Sequence, residues 1–91
     1  MWRLSRTETF VRTARRLVKR DPRLAQALTA TLELLADDPW NPRLRIHGLK
    51  GRLKELWAVR VNFSIRLIIV LDRENKLITL LDIGSHDEVY R

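Results

Sequence analysis

The sequence predicts an α+β fold: an N-terminal strand, a helical hairpin, then a three-stranded antiparallel meander that completes a small sheet. Apolar residues recur at helical spacing between Thr7 and Leu35, and after a loop the period changes to two. Turn-forming stretches at Asn62-Phe63-Ser64 and Asp72 to Lys76 then divide the second half into three strands.

From Met1 to Ser5, Trp2 and Leu4 alternate with polar residues, which suits a short strand. Ser5-Arg-Thr-Glu8 has the spacing of a capping box, so Ser5 is the expected cap of a helix starting near Thr7. Phe10, Ala14, Leu17 and Val18 form its apolar face, and Arg12, Arg15, Arg16 and Lys19 occupy the rest. Asp21-Pro22 supplies a cap and a proline at the first helical position of a second helix, whose face carries Leu24, Ala27, Leu28, Thr31 and Leu35. Asp37-Asp38-Pro39 ends it, because the residue before proline is pushed out of the α region.

Trp40 to Gly51 has no clear period and reads as an irregular basic loop. Glu55, Trp57, Val59 and Val61 then alternate with Leu56, Ala58, Arg60 and Asn62, and Ser64 to Leu71 is rich in Ile, Leu and Val. The latter strand is apolar on both faces from Leu67 to Leu71, so helices should cover one face and loops or a partner the other. Leu77 to Ile83 is the last strand. The tryptophans Trp2, Trp40 and Trp57 are expected core or loop anchors. With 91 residues, one domain spanning 1–91 around a single core is expected.

A composition of 45% hydrophobic and 32% charged residues is that of a globular chain. No apolar run nears the ~20 residues of a membrane span, and the arginine-rich start lacks the apolar segment of a secretory signal, so a cytoplasmic protein without membrane attachment is expected. The absence of cysteine excludes disulfides and thiolate metal sites, and two histidines without ligand spacing argue against zinc.

The net charge of +7 implies an anionic partner. It is concentrated in two blocks, residues 1–20 and residues 41–66, each with a net charge of +6. In the second block, a hairpin centred on Phe63 places Arg60 and Arg66 opposite each other on one face. Like charges so placed destabilise a sheet unless an anion lies between them or both reach into water. His47 to Lys54 (HGLKGRLK) sets an imidazole and three cations beside two glycines, either as an anion-gripping loop or as a solvated turn. It is not a Walker A sequence. Near the end, Gly84-Ser-His86 brings a histidine out of a strand, where it either exchanges a proton near neutral pH or serves as a helix or tail cap. Tyr90 offers a stacking face or a proton donor, or else docks on the core.

The order of these features, with the stretches HGLKG, LWAVRVNFSIRLIIVLD and LLDIGSHDEVY, resembles the RelE/ParE superfamily of bacterial toxins, most closely the RelE and YafQ branches that cut mRNA on the ribosome. The resemblance covers nearly the whole chain and implies a RelE-like fold. It also implies that His47, in a His-x-Leu-Lys-Gly loop, and His86, in a terminal Gly-Ser-His, belong to an active site. By the same resemblance Tyr90 corresponds to a terminal tyrosine and Arg66 to a phosphate-binding arginine. Arg60, Lys50 and Lys54 approximate further strand and loop cations, and Arg43, Arg45 and Arg52 join them as RNA contacts. The chain departs from YafQ in lacking a third histidine and an acid–tryptophan pair, and from RelE in carrying His86 in place of a terminal arginine, which leaves the general base open between His86 and His47.

The implied reaction is attack of an RNA 2′-OH on the adjacent phosphate, without metal or cofactor. The implied partners are the ribosome with its mRNA and a cognate acidic antitoxin, and the chain alone is expected to be a monomer. The rival reading is a ParE-like inhibitor of DNA gyrase with no catalytic cluster, and a third is a passive basic binding module.

Overall fold

The computed structural model describes residues 1–49 and 56–89. Strand β1 (Arg3–Arg6) leads into helices α1 (Glu8–Arg20) and α2 (Arg23–Asp37), and a 3-10 turn at Pro42–Leu44 follows. The chain then adds β2 (His47–Gly48), β3 (Leu56–Arg60), β4 (Ile65–Asp72), β5 (Leu77–Ser85) and a short helix α3 (His86–Val89). The strands form one five-stranded sheet in the order β1-β5-β4-β3-β2. All neighbours are antiparallel except β1, which joins β5 in parallel with Ser5 beside Thr79. The expected α+β architecture is therefore present, with the first strand closing the sheet against the last.

The expected irregular loop is more ordered than the sequence implied. Pro42 starts the 3-10 turn, Asn41 Oδ1 accepts from the Arg43 amide at 3.0 Å, and Arg45 ends it at a φ of 48°. His47 and Gly48 then pair with Ala58 and Trp57 as a two-residue edge strand. Lys50, Arg52 and Lys54 lie outside the described residues, as do Glu55 and Tyr90.

One face of the sheet packs on the two helices. Val59, Leu67, Ile69, Leu71, Ile78, Leu80 and Ile83 meet Phe10, Ala14, Leu17, Leu24 and Leu35 in a continuous apolar cluster, with Trp2 and Trp57 packed against it. The matching apolar positions of α1 and α2 are the ones their helical spacing picked out. Strand β4 is buried on both faces, as Ile68 and Ala58 are also closed to solvent on the side away from the helices. Helix α3 turns over that second side: a Cβ on Gly84 would come within 3.2 Å of Val89 Cγ1 and 3.3 Å of Glu88 Cβ. No described helix is long and apolar enough to cross a membrane.

The cap of α1 differs from expectation. Ser5 remains in β1, and Thr7 is the cap, its Oγ1 accepting from the Phe10 amide at 3.0 Å. Strand pairing decides this, because Ser5 is committed to its register with Thr79 and cannot also fold back over the helix start. The Thr7 hydroxyl also donates to the Leu81 carbonyl at 2.9 Å, and the Thr7 amide donates to Leu80 O at 3.1 Å. Leu81 is the extra residue of a β-bulge: Ile69 pairs with Leu80 and Ile68 with Asp82, so Leu81 has no partner across β4. Thr7 thus satisfies both a helix terminus and a bulge carbonyl.

Replacing Thr7 with Ala should cost about 1–2 kcal/mol, which for a domain of this size is roughly 4–16 °C in Tm, whereas Thr7→Ser should stay close to wild type. Thermal unfolding followed by circular dichroism checks this, and an unchanged Tm in Thr7→Ala would refute the shared-cap assignment.

Candidate functional site

The face of the sheet turned away from α1 and α2 gathers the candidate residues. In the β3–β4 pair Arg60 stands opposite Arg66, as the hairpin arithmetic predicted, and in the β4–β5 pair Arg66 stands opposite Gly84. One step along, His47, Ala58, Ile68 and Asp82 form the neighbouring row. Residues directly paired across strands project from the same side, so His47, Arg60, Arg66 and Asp82 share this face. His86 follows two residues after Gly84 as the first residue of α3.

The two histidines sit at opposite ends of this array. β2 and β5 are three strand spacings apart, or about 14 Å at the backbone, so His47 and His86 cannot act on one proton from adjacent positions. The arginine pair lies between them. Arg43 and Arg45 are exposed on the turn leading to His47. The structure therefore brings the two arginines together and places one imidazole to either side.

Each group has a definable local setting. The hairpin loop is an Asx turn in which Asn62 Oδ1 accepts from the amides of Ser64 at 3.0 Å and Ile65 at 2.8 Å. Arg66 is anchored to this loop: its Nη1 donates to the carbonyls of Asn62 at 2.8 Å, Ile65 at 3.2 Å and Phe63 at 3.3 Å. That grip holds the guanidinium at the loop end of the face. Neither Arg60 nor Arg66 forms an ion pair with a carboxylate among the described residues. His47 Nδ1 lies 3.1 Å from the Arg45 carbonyl, and His86 Nδ1 lies 3.8 Å from Asp87 Oδ1. No cluster of three metal-ligating side chains forms among the described residues.

Two contributors escaped the sequence reading. Asp82 reaches this face only because of the bulge, and its Oδ1 accepts from the Ile83 amide at 2.8 Å. Ser85 and Glu88 form a reciprocal capping box around His86: the Ser85 amide donates to Glu88 Oε1 at 2.9 Å and the Glu88 amide to Ser85 Oγ at 3.2 Å. The Ser-x-x-Glu spacing was present in the sequence, but it sat at the end of a strand, and the cap weighed there was His86 rather than Ser85 and Glu88.

The bonds from Ser85 hold the Glu88 carboxyl below its ordinary value of 4.5, and the positive field of Arg16 and Arg20 adds to this. A depressed folded-state value means that the cap contributes fully above about pH 4.5 and is lost as pH falls through the lowered value. The amide NMR signals of Ser85 and Glu88 should therefore shift together on acidification with a midpoint below 4.5. In Glu88→Gln, which keeps the acceptor and removes the charge, that step should vanish; a step of unchanged size would show that another group controls α3.

Comparison with known proteins bears on the family and the fold. Residues 2–91 match the family described as bacterial toxin of type II toxin–antitoxin system, YafQ. A chain assigned as toxin RelE4 in Methanocaldococcus jannaschii is 25% identical over 76 residues, covering 84% of this chain and 77% of that one. Among solved structures, a metal-bound toxin from Helicobacter pylori superimposes with a TM-score of 0.82 at 25% identity, covering 99% of this chain and all of the other. YafQ in the Escherichia coli DinJ–YafQ complex gives 0.81 at 17% identity with both chains fully covered, a likeness of fold. With the match running over almost its whole length, the chain belongs to the YafQ family of type II toxin–antitoxin toxins.

Proposed function

We propose that this toxin is a ribosome-dependent mRNA endoribonuclease, with the scissile phosphate held against Arg60 and Arg66. The observation that carries the reading is the facing arginine pair, which has no carboxylate partner among the described residues and lies between two histidines on one side of the sheet. Two guanidinium groups on adjacent strands cost the sheet electrostatic energy in isolation, and a phosphodiester between them reverses the sign of that interaction. Their charge matters most in the pentacoordinate transition state, where the phosphoryl oxygens carry the greatest negative charge.

In the proposed step a base removes the proton of the RNA 2′-OH, O2′ bonds to phosphorus, and the bond from phosphorus to O5′ breaks. The products are a 2′,3′-cyclic phosphate and a 5′-OH, the latter taking up a proton. Attack and departure occur on opposite sides of phosphorus. A phosphate centred on the arginines would have His47 on the β2 side and His86 on the β5 side, so His86 or His47 serves as base, and Tyr90 stacks on or orients the nucleotide at the cut. Lys50, Arg52 and Lys54, with Arg43 and Arg45, would hold the flanking backbone. The partner keeping such a toxin silent is an acidic antitoxin, by analogy with the Escherichia coli relative solved together with DinJ.

Ribosomes programmed with a defined mRNA should acquire new 5′-OH ends within the A-site codon when the protein is added, and free mRNA should not. Arg60→Ala and His86→Ala should each lower cleavage at least about 100-fold with an unchanged circular-dichroism spectrum. Arg66→Ala should do the same but also loosen the hairpin loop, so Arg60→Ala is the cleaner test. Full activity in both Arg60→Ala and His86→Ala would remove these residues from the mechanism. No cleavage by the folded wild-type protein would transfer the reading to gyrase inhibition or passive binding.

A further inference from the structure

We infer that Phe63 is a base-stacking platform for single-stranded RNA, set beside the Arg60–Arg66 pair; this deepens the RNA reading above and rests on it. Phe63 is 86% exposed at the tip of the β3–β4 hairpin. A single exposed phenylalanine is commonplace on protein surfaces. Its setting here is not.

The loop that presents it is held from within. Asn62 Oδ1 binds the next two amides after Phe63, and the Val61 amide donates to Ile65 O at 3.0 Å. Arg66 Nη1 takes the carbonyl of Phe63 itself. A ring displayed on a backbone already fixed loses little entropy on meeting a ligand, which is the condition for an efficient contact. The ring also buries nothing: it has no place in the apolar cluster and leaves its hydrophobic surface in water. Immediately on either side, the strands carry Arg60 and Arg66, three residues before it and three after it, on one face.

An exposed aromatic between two cations is the combination that binds single-stranded nucleic acid, with the cations on the backbone and the ring on a base. A protein partner would need an apolar pocket ringed by acids at the same point, whereas one nucleotide supplies both anion and aromatic face. Because every base has a π-face, the contact is tolerant of sequence and adds affinity rather than codon choice.

The test uses the full chain and a 2′-O-methyl RNA oligonucleotide, which lacks the nucleophile and is not consumed, carrying one 2-aminopurine. Wild type should quench the probe and bind about 5–100-fold more tightly than Phe63→Ala. Phe63→Tyr should keep the quench and the affinity, while Phe63→Leu, apolar without a π-face, should behave like Ala. The slope of affinity against salt should be the same in all four, since no phosphate contact is lost, and should decrease in Arg60→Ala. Wild-type affinity and quench in Phe63→Ala, with binding weakened in Arg60→Ala, would overturn the stacking role and leave the RNA reading standing. An absence of salt-dependent binding by wild type would overturn the stacking role on free RNA, and the ribosome cleavage assay then decides the RNA reading by itself.

Discussion

Strict alternation along β5 would carry Ile78, Leu80 and Asp82 to the same side of the sheet, and the core would receive a carboxylate. Burying that group without partners is costly by several kcal/mol. The extra residue at Leu81 changes the phase, so that Ile78, Leu80 and Ile83 line the core while Asp82 and Gly84 face the other way. Everything on the candidate site's side of β5 follows from this single slip. Gly84 comes beside Arg66, α3 can lie over it without a clash, and His86 is delivered to the end of the array. The freed Leu81 carbonyl needs a donor, and Thr7 provides it from the start of α1, so the bulge and the helical layer are fixed together.

Charge is distributed in keeping with that arrangement. Arg60 and Arg66 face each other with no carboxylate paired to them among the described residues, and the loop carbonyls drawn to Arg66 soften the repulsion without neutralising it. At the other end of α3, Glu88 lies in the positive field of Arg16 and Arg20 on α1 while capping its own helix.

Periodicity made most of the fold legible. The apolar positions of α1 and α2, the double-sided burial of β4 and the opposition of Arg60 to Arg66 were all readable, because each depends on residues near one another in the chain. The misread features share a different cause. Ser5 had good capping chemistry but was claimed by a strand whose partner is 74 residues away, and Thr7 was chosen by carbonyls equally remote. The bulge at Leu81 leaves no local mark, since a run of Leu-Leu-Asp-Ile is compatible with either phase. Asp82 was therefore invisible as a member of the site. The edge strand at His47–Gly48 is too short to show a period, and only its pairing with β3 reveals that His47 belongs to the same face as the arginines.

The parallel pairing of β1 with β5 has a consequence for synthesis. The Thr7 hydroxyl waits for carbonyls 73 and 74 residues later in the chain. At about 5–20 residues per second, translation takes roughly 4–15 s to supply them. In that interval β1 has no strand to pair with, although Thr7 can already cap α1 through the Phe10 amide. Loop-closure entropy makes such distant pairings slow to form even when the chain is complete. The edge of β1 consequently stays unpaired until β5 has been made.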